Sequence, residues 1–381
     1  MISGGDMRYK LGRIGAAEAA CAAGISLCVN GLFDIDQKRA YAFGNSTYIW
    51  LPLAALVSLA VFFLASAAME KRGSENLADL FFGAFGRPLG IIASLTVCVS
   101  LLICASVPLG NFTHVLDDLV YEGVEYPKLF AFLIPAAGFI AARGLETIGR
   151  LSRLYVCVLI AALAAAFLSS FKSQMGYRMY PIAGDGAAHM LGSAASGGVF
   201  FLPPLAALLV FGEGLQGAEH ARKAGKRAAL IAAAVCLAVQ LMLARLYTYE
   251  GLSQVFMPLC RVNYPGIERS YVMWLDKLLV MAWINGALIS SGYCIYSAAL
   301  LYARAFGQRD VTPAALLMTA IVCVTVLAEF ESDISTASLL LEYSLKYGVL
   351  LAAAPMLSAS LIALMKRNNA GAGYERISAN E

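Results

Sequence analysis

The stretch Ser193-Ala194-Ala195-Ser196-Gly197-Gly198-Val199-Phe200-Phe201-Leu202-Pro203-Pro204-Leu205-Ala206-Ala207 carries no charge, yet it sets paired glycines and paired prolines inside an apolar run. Two consecutive prolines remove two backbone donors and push the preceding residue out of the helical region, so the spacing predicts a break near Leu202 rather than an intact spanning helix. In hydrocarbon the freed carbonyls need partners, and irregular backbone is tolerated only where it is buried in protein or lines a cavity. The stretch therefore asks for a cavity inside a membrane protein.

The rest of the chain supplies that protein. A segment crossing hydrocarbon stays nearly charge-free for about 17 to 25 residues. Read from charge to charge, the sequence gives ten such windows: 19 to 33, 40 to 69, 88 to 116, 129 to 142, 154 to 171, 186 to 212, 228 to 244, 278 to 303, 311 to 328 and 347 to 365. Two are short, so the first is extended through Glu18 and Arg143 snorkels at the end of the fourth. The composition agrees. Of 381 residues 60% are hydrophobic and 14% charged, with mean hydropathy +0.71, against roughly 25% charged in an ordinary soluble domain. An all-α polytopic membrane protein of ten transmembrane helices follows. A β-barrel would alternate apolar and polar residues, and Val156 to Leu168 does not.

A net charge of +3 offers no footprint for nucleic acid. The positive charges are unevenly spread across the alternating loops. Eighteen Lys and Arg fall on the side of the N-terminus, among them Arg8, Lys10 and Arg13, the group from Arg222 to Arg227, and Lys366 and Arg367; seven fall on the other. Cytoplasmic loops hold such an excess, so both termini are expected in the cytoplasm. The first apolar stretch lacks a convincing small-x-small cleavage site and is expected to stay as a helix. Eight of nine cysteines lie inside windows and no Cys-x-x-Cys occurs, which argues against a disulfide framework or a zinc site. His114, His189 and His220 have no second ligand at metal spacing. No metal, no cofactor and no catalytic motif is expected, hence no enzyme.

The loop around 172 to 192 divides the helices five plus five. Many secondary transporters are two inverted repeats whose corresponding helices are interrupted near mid-membrane, where unwound backbone holds the substrate. This organisation gives a first repeat over 1–171, an extracytoplasmic linker over 172–192, a second repeat over 193–367 and a cytoplasmic tail over 368–381. Helices 1 and 6 should then both be broken. Helix 1 holds Ala22-Ala23-Gly24-Ile25-Ser26 followed by Asn30-Gly31, and helix 6 holds Ser196-Gly197-Gly198 and Pro203-Pro204. A pocket is expected between Gly24, Ile25 and Ser26 on one side and Ser196, Gly197, Gly198 and Pro203 on the other, with half-helix N-termini favouring a carboxylate. Ser106 and Asn111 on helix 3 and Asn285, Ser290 and Tyr293 on helix 8 would add polar groups. Each of these has a plainer alternative: glycines also let helices pack closely, and membrane serines and asparagines also bond between helices. Glu18, beside the expected break, faces either the cavity or the interface.

A resemblance adds to this reading. Tyr177-Arg178-Met179-Tyr180-Pro181-Ile182-Ala183-Gly184-Asp185-Gly186 resembles the Leu-Pro-x-x-Gly-acidic-Gly signature of the spore-germination permease family, the B subunits of nutrient germinant receptors. The basic loop Ala218 to Leu230 is similar to that family's, as are Trp274-Leu275-Asp276-Lys277 leading to Tyr302-Ala303-Arg304-Ala305-Phe306-Gly307, and the last helix with Pro355 in mid-span. The resemblance implies the amino-acid/polyamine/organocation superfamily fold, of the LeuT/APC type, in the spore inner membrane. It further implies a small-molecule germinant, often an amino acid, and an A subunit and a lipoprotein C subunit as partners. Secondary amino-acid or amine transport, and a structural subunit with a vestigial pocket, are the competing expectations. The second of these draws on a departure: Leu202 to Ala207 lacks the carboxylate that the family commonly carries in helix 6.

Overall fold

The computed structural model describes residues 12–33, 47–119, 126–179, 201–215, 217–255, 258–262, 270–331 and 336–365. Among these, the regular elements are helices: α1 (Ala16–Phe33), α2 (Thr47–Arg72), α3 (Leu77–Phe85), α4 (Arg87–Leu119), α5 (Tyr126–Ala142), α6 (Leu145–Ser170), α7 (Phe201–Val210), α8 (Ala218–Leu246), α9 (Tyr249–Gln254), α10 (Ser270–Phe306), α11 (Thr312–Glu331) and α12 (Thr336–Met365). Six of them are long and apolar enough to cross a membrane, and four apolar helices of 10–17 residues accompany them. Together these ten fall on the ten charge-poor windows. The chain is an integral membrane protein, and its surface has the matching chemistry, with Phe132, Leu154 and Leu168 more than 70% exposed on the outside of the bundle.

The short α3 is different in kind. Asn76 caps it, accepting from the Asp79 N–H at 3.0 Å, and Gly86 ends it at φ +79°, a left-handed value that a side chain would strain. Pro88 then falls in the first turn of α4, where a missing donor costs nothing.

The long α10 is the axis of the bundle, packing on α4, α5, α1, α6 and α11. The first helix lies between α10, α8 and α6, while α2 lies against α8 and α12. Beyond α6 the chain doubles back, and the Met175 N–H reaches the Arg245 carbonyl at the end of α8 at 2.9 Å. Small residues allow the close crossings: a Cβ on Gly292 would lie 2.7 Å from the Ile140 side chain, and one on Gly138 2.5 Å from Thr319.

Two expectations about helix breaks are corrected. The first helix does not unwind at Gly24 to Ser26, because Ala16–Phe33 is one continuous α-helix. Alanine is the best helix former, and a lone glycine among alanines costs only about 1 kcal/mol, less than leaving carbonyls unpaired in lipid. Nor is there a break at Leu202 itself, which is helical with Pro203 and Pro204. The donors those prolines lack would have met the carbonyls of residues 199 and 200, ahead of the described stretch. Ser196, Gly197 and Gly198 lie outside the described residues, as does the signature after Met179.

Candidate ligand site

The polar residues of α1 and α10 meet in a buried seam. Ser26 Oγ and Ser290 Oγ are 2.9 Å apart, both wholly buried, and Cys294 Sγ lies 3.6 Å from Ser26 Oγ. One turn further along α1, Asn30 folds back and donates from Nδ2 to the Ser26 carbonyl at 2.8 Å and to Ser290 Oγ at 3.2 Å. These side chains hold α1 to α10 at the depth where the helices would otherwise touch only through apolar groups.

On the next turn of α10, Tyr293 Oη donates to the Pro204 carbonyl at 2.9 Å, and its ring stands edge-on to Phe211 with centroids 5.5 Å apart. The proline pair of α7 is thereby tied to the same stretch of α10 that meets α1. Behind it Ser291 donates to the Ala105 carbonyl of α4 at 2.8 Å. Ser26, Ser290, Tyr293 and Pro203 are thus gathered around one segment of α10, with α4 alongside.

Other expected residues lie apart. Gly24 and Ile25 turn away from the seam and line a cavity of about 150 Å³ with Cys21, Leu163, Ile231 and Trp283. It is apolar throughout, so it offers nothing to a polar solute. Ser106 bonds within its own helix, to the Ile103 carbonyl at 3.1 Å. Asn285 is exposed and returns to the Met281 carbonyl at 2.9 Å, five positions and a different face from Ser290. Glu18 takes the interfacial role: it accepts from the Gly15 N–H at 3.2 Å, capping the start of α1, and pairs with Arg153 at 3.9 Å.

A second polar cluster closes the end of the bundle near the start of α1. Arg304, counted from sequence among the loop cations, is buried and pairs with Glu213 at 3.1 Å while also donating to the Val210 carbonyl at the end of α7. Asn76 donates to Glu213 Oε1 at 2.6 Å and to Asp79 Oδ2 at 2.7 Å. Burial raises the Asp79 carboxyl above the ordinary carboxylate range; Arg304 opposes this, and Glu213 and Glu75 reinforce it. Gly212 presses so closely on the Glu75 carbonyl that no side chain fits there. Among the described residues no group of three or more His, Cys, Asp or Glu is placed to hold a metal.

The family described as "Spore germination protein" matches residues 38–334, most of the chain. The chain belongs to that family. No curated protein matches the sequence. In structure this spore germination protein is similar to MhsT in complex with L-phenylalanine, at 14% identity and TM-score 0.67, covering 93% of this chain and 89% of that one. It is also similar to a Na⁺-coupled sialic acid symporter in a substrate-bound outward-open state, at 12% identity and TM-score 0.63, covering 89% and 78%. A third likeness is to Mhp1, a nucleobase-cation-symport-1 transporter in a closed conformation with bromovinylhydantoin bound, at 12% identity and TM-score 0.63, covering 96% and 93%. At these identities the likeness is one of fold, the LeuT type of the APC transporters.

Proposed function

We propose that this chain is the membrane subunit of a spore nutrient receptor, binding a small germinant, an amino acid in the simplest case, beside the α1–α10 seam and passing that event to its partners. The observation that carries the reading is the joining of α1, α7 and α10 through Ser26–Ser290 and Tyr293–Pro204. A solute lodged there alters contacts on three helices at once. Ligand binding shifts a closed-to-open equilibrium only through differential affinity for the two states, and a seam made of a few hydrogen bonds is easily re-formed between them. Membership of the spore germination family supports the biological setting.

On this reading the segment containing Ser196, Gly197 and Gly198 completes the pocket opposite Ser26. The halves 1–171 and 193–367 are its repeats, 172–192 the outer linker and 368–381 a cytoplasmic tail. The loop charges place both termini in the cytoplasm and the protein in the spore inner membrane. Its partners are a receptor A subunit and a lipoprotein C subunit.

The LeuT-type fold supports a second reading, a working secondary transporter for amino acids or amines. Two experiments separate them. Loss of germination toward a panel of amino acids, bile-type molecules and sugars on deletion of the gene, with no uptake by the purified protein in vesicles, is the outcome expected for a receptor. Uptake by the protein alone decides for transport.

A further inference from the structure

Near the α1–α10 seam two buried amides are left incompletely bonded. Asn30 is 2% exposed, and its Oδ1 has no protein partner although Nδ2 is fully used. Gln240 on α8 is 1% exposed, and neither Oε1 nor Nε2 has a partner. The two flank one helix crossing. Gly31, next to Asn30, faces α8 and α7 so closely that a Cβ on it would lie 3.4 Å from Cys236 Sγ and 3.1 Å from the Phe201 ring. Gln240 stands one turn beyond Cys236.

Buried polar groups are almost always hydrogen-bonded, because an unpaired one forfeits its solvation for nothing. Between Ala228 and Ala244 the residues around Gln240 are Ala, Leu, Ile, Val, Met and Cys, and a leucine would pack there without penalty. Helix packing therefore does not account for the amide. Among the described residues of α7, and of α1 and α8 near this crossing, no side chain is ionised: Glu18 is paired with Arg153 at the start of α1, and Arg245 is exposed at the end of α8.

We propose that Asn30 Oδ1 and the Gln240 amide recognise the ligand, and that the ligand is a small solute presenting an N–H donor together with an oxygen acceptor, its charges balanced within itself as in a zwitterionic amino acid. Asn30 accepts from the ammonium, while Gln240 donates to the carboxylate and has an acceptor to spare. The inference rests on the sensor reading above and names its specificity.

The test is thermal denaturation of the purified full-length protein in lipid nanodiscs, alone and with each of the twenty L-amino acids and their N-acetyl and methyl-ester forms. The expected result is that some free amino acids raise the wild-type midpoint more than their blocked forms do. Gln240→Leu should melt a few degrees higher than wild type without ligand and bind those amino acids at least tenfold more weakly. Gln240→Met, nearly isosteric, repeats the measurement if the leucine variant fails to fold. A midpoint unchanged or lowered in both variants means that water already satisfies the amide, which overturns the proposal. A raised midpoint with unaltered binding overturns the recognition role and leaves the sensor reading standing. A wild-type protein that no member of the panel shifts overturns the sensor reading and the ligand class with it.

Discussion

Single side chains in this protein differ sharply in what they can be asked to do. Arg304 is buried with Glu213 and the Val210 carbonyl. Removing one partner of a buried pair strands the other, so Arg304→Met should lower stability by about 3 kcal/mol, and Arg304→Met with Glu213→Gln should recover most of that loss in thermal melts. Gly24 is the opposite case. Nothing lies within 4 Å of a Cβ placed on it, and it sits in a continuous helix, so Gly24→Ala should stabilise by about 1 kcal/mol and leave the ligand response intact. A response abolished by that methyl would return Gly24 to the binding site. The sequence misled here because glycine beside serine suggests unwinding, whereas the alanines around it hold the helix. Gln240 was open to view as the lone amide in an apolar run, but a single polar residue reveals its cost only once its burial is known.

At the level of helices, the α1–α10 seam makes a quantitative claim. A double-mutant cycle on Ser26→Ala and Ser290→Ala should return a coupling of about 0.5–1.5 kcal/mol, and a value near zero would mean that the hydroxyls do not exchange a bond in the membrane. The short α3 makes a claim about pH. The Asp79 carboxyl is raised from an ordinary 3.8, so the folded state prefers it protonated, and its contribution to stability is full at low pH and is lost as pH rises through the raised value. Asp79→Asn should therefore melt close to wild type near pH 4 and above it at pH 7. The ten apolar helices were legible because charge is excluded from hydrocarbon over a whole span. The nine-residue α3 was not, because a short interfacial helix with an aspartate in its first turn leaves no charge-free gap. Arg304 escaped for a related reason: counting cations by loop says nothing about which of them folds inward.

For the molecule as a whole, the uneven loop charges predict one orientation. A cysteine at position 176, where a Cβ meets nothing within 4 Å, should react with a membrane-impermeant maleimide added outside intact cells, and one at exposed position 310 only after the membrane is opened. The reverse pattern would invert the topology. The architecture was readable from the five-plus-five division of charge-poor windows, but the site was readable only in part. Ser26, Ser290, Tyr293 and Pro203 converge, while Asn285 and Gly24 share sequence neighbourhoods with them and face elsewhere, since helical periodicity turns adjacent residues to different neighbours.

One geometric fact outlasts the particular ligand. Ser290, in the seam, and Arg304, at the closed end, stand about 21 Å apart on a single unbroken rod. A tilt that loosens one grip must drag on the other, so sensing and closure share one mechanical lever and need no chemical messenger between them.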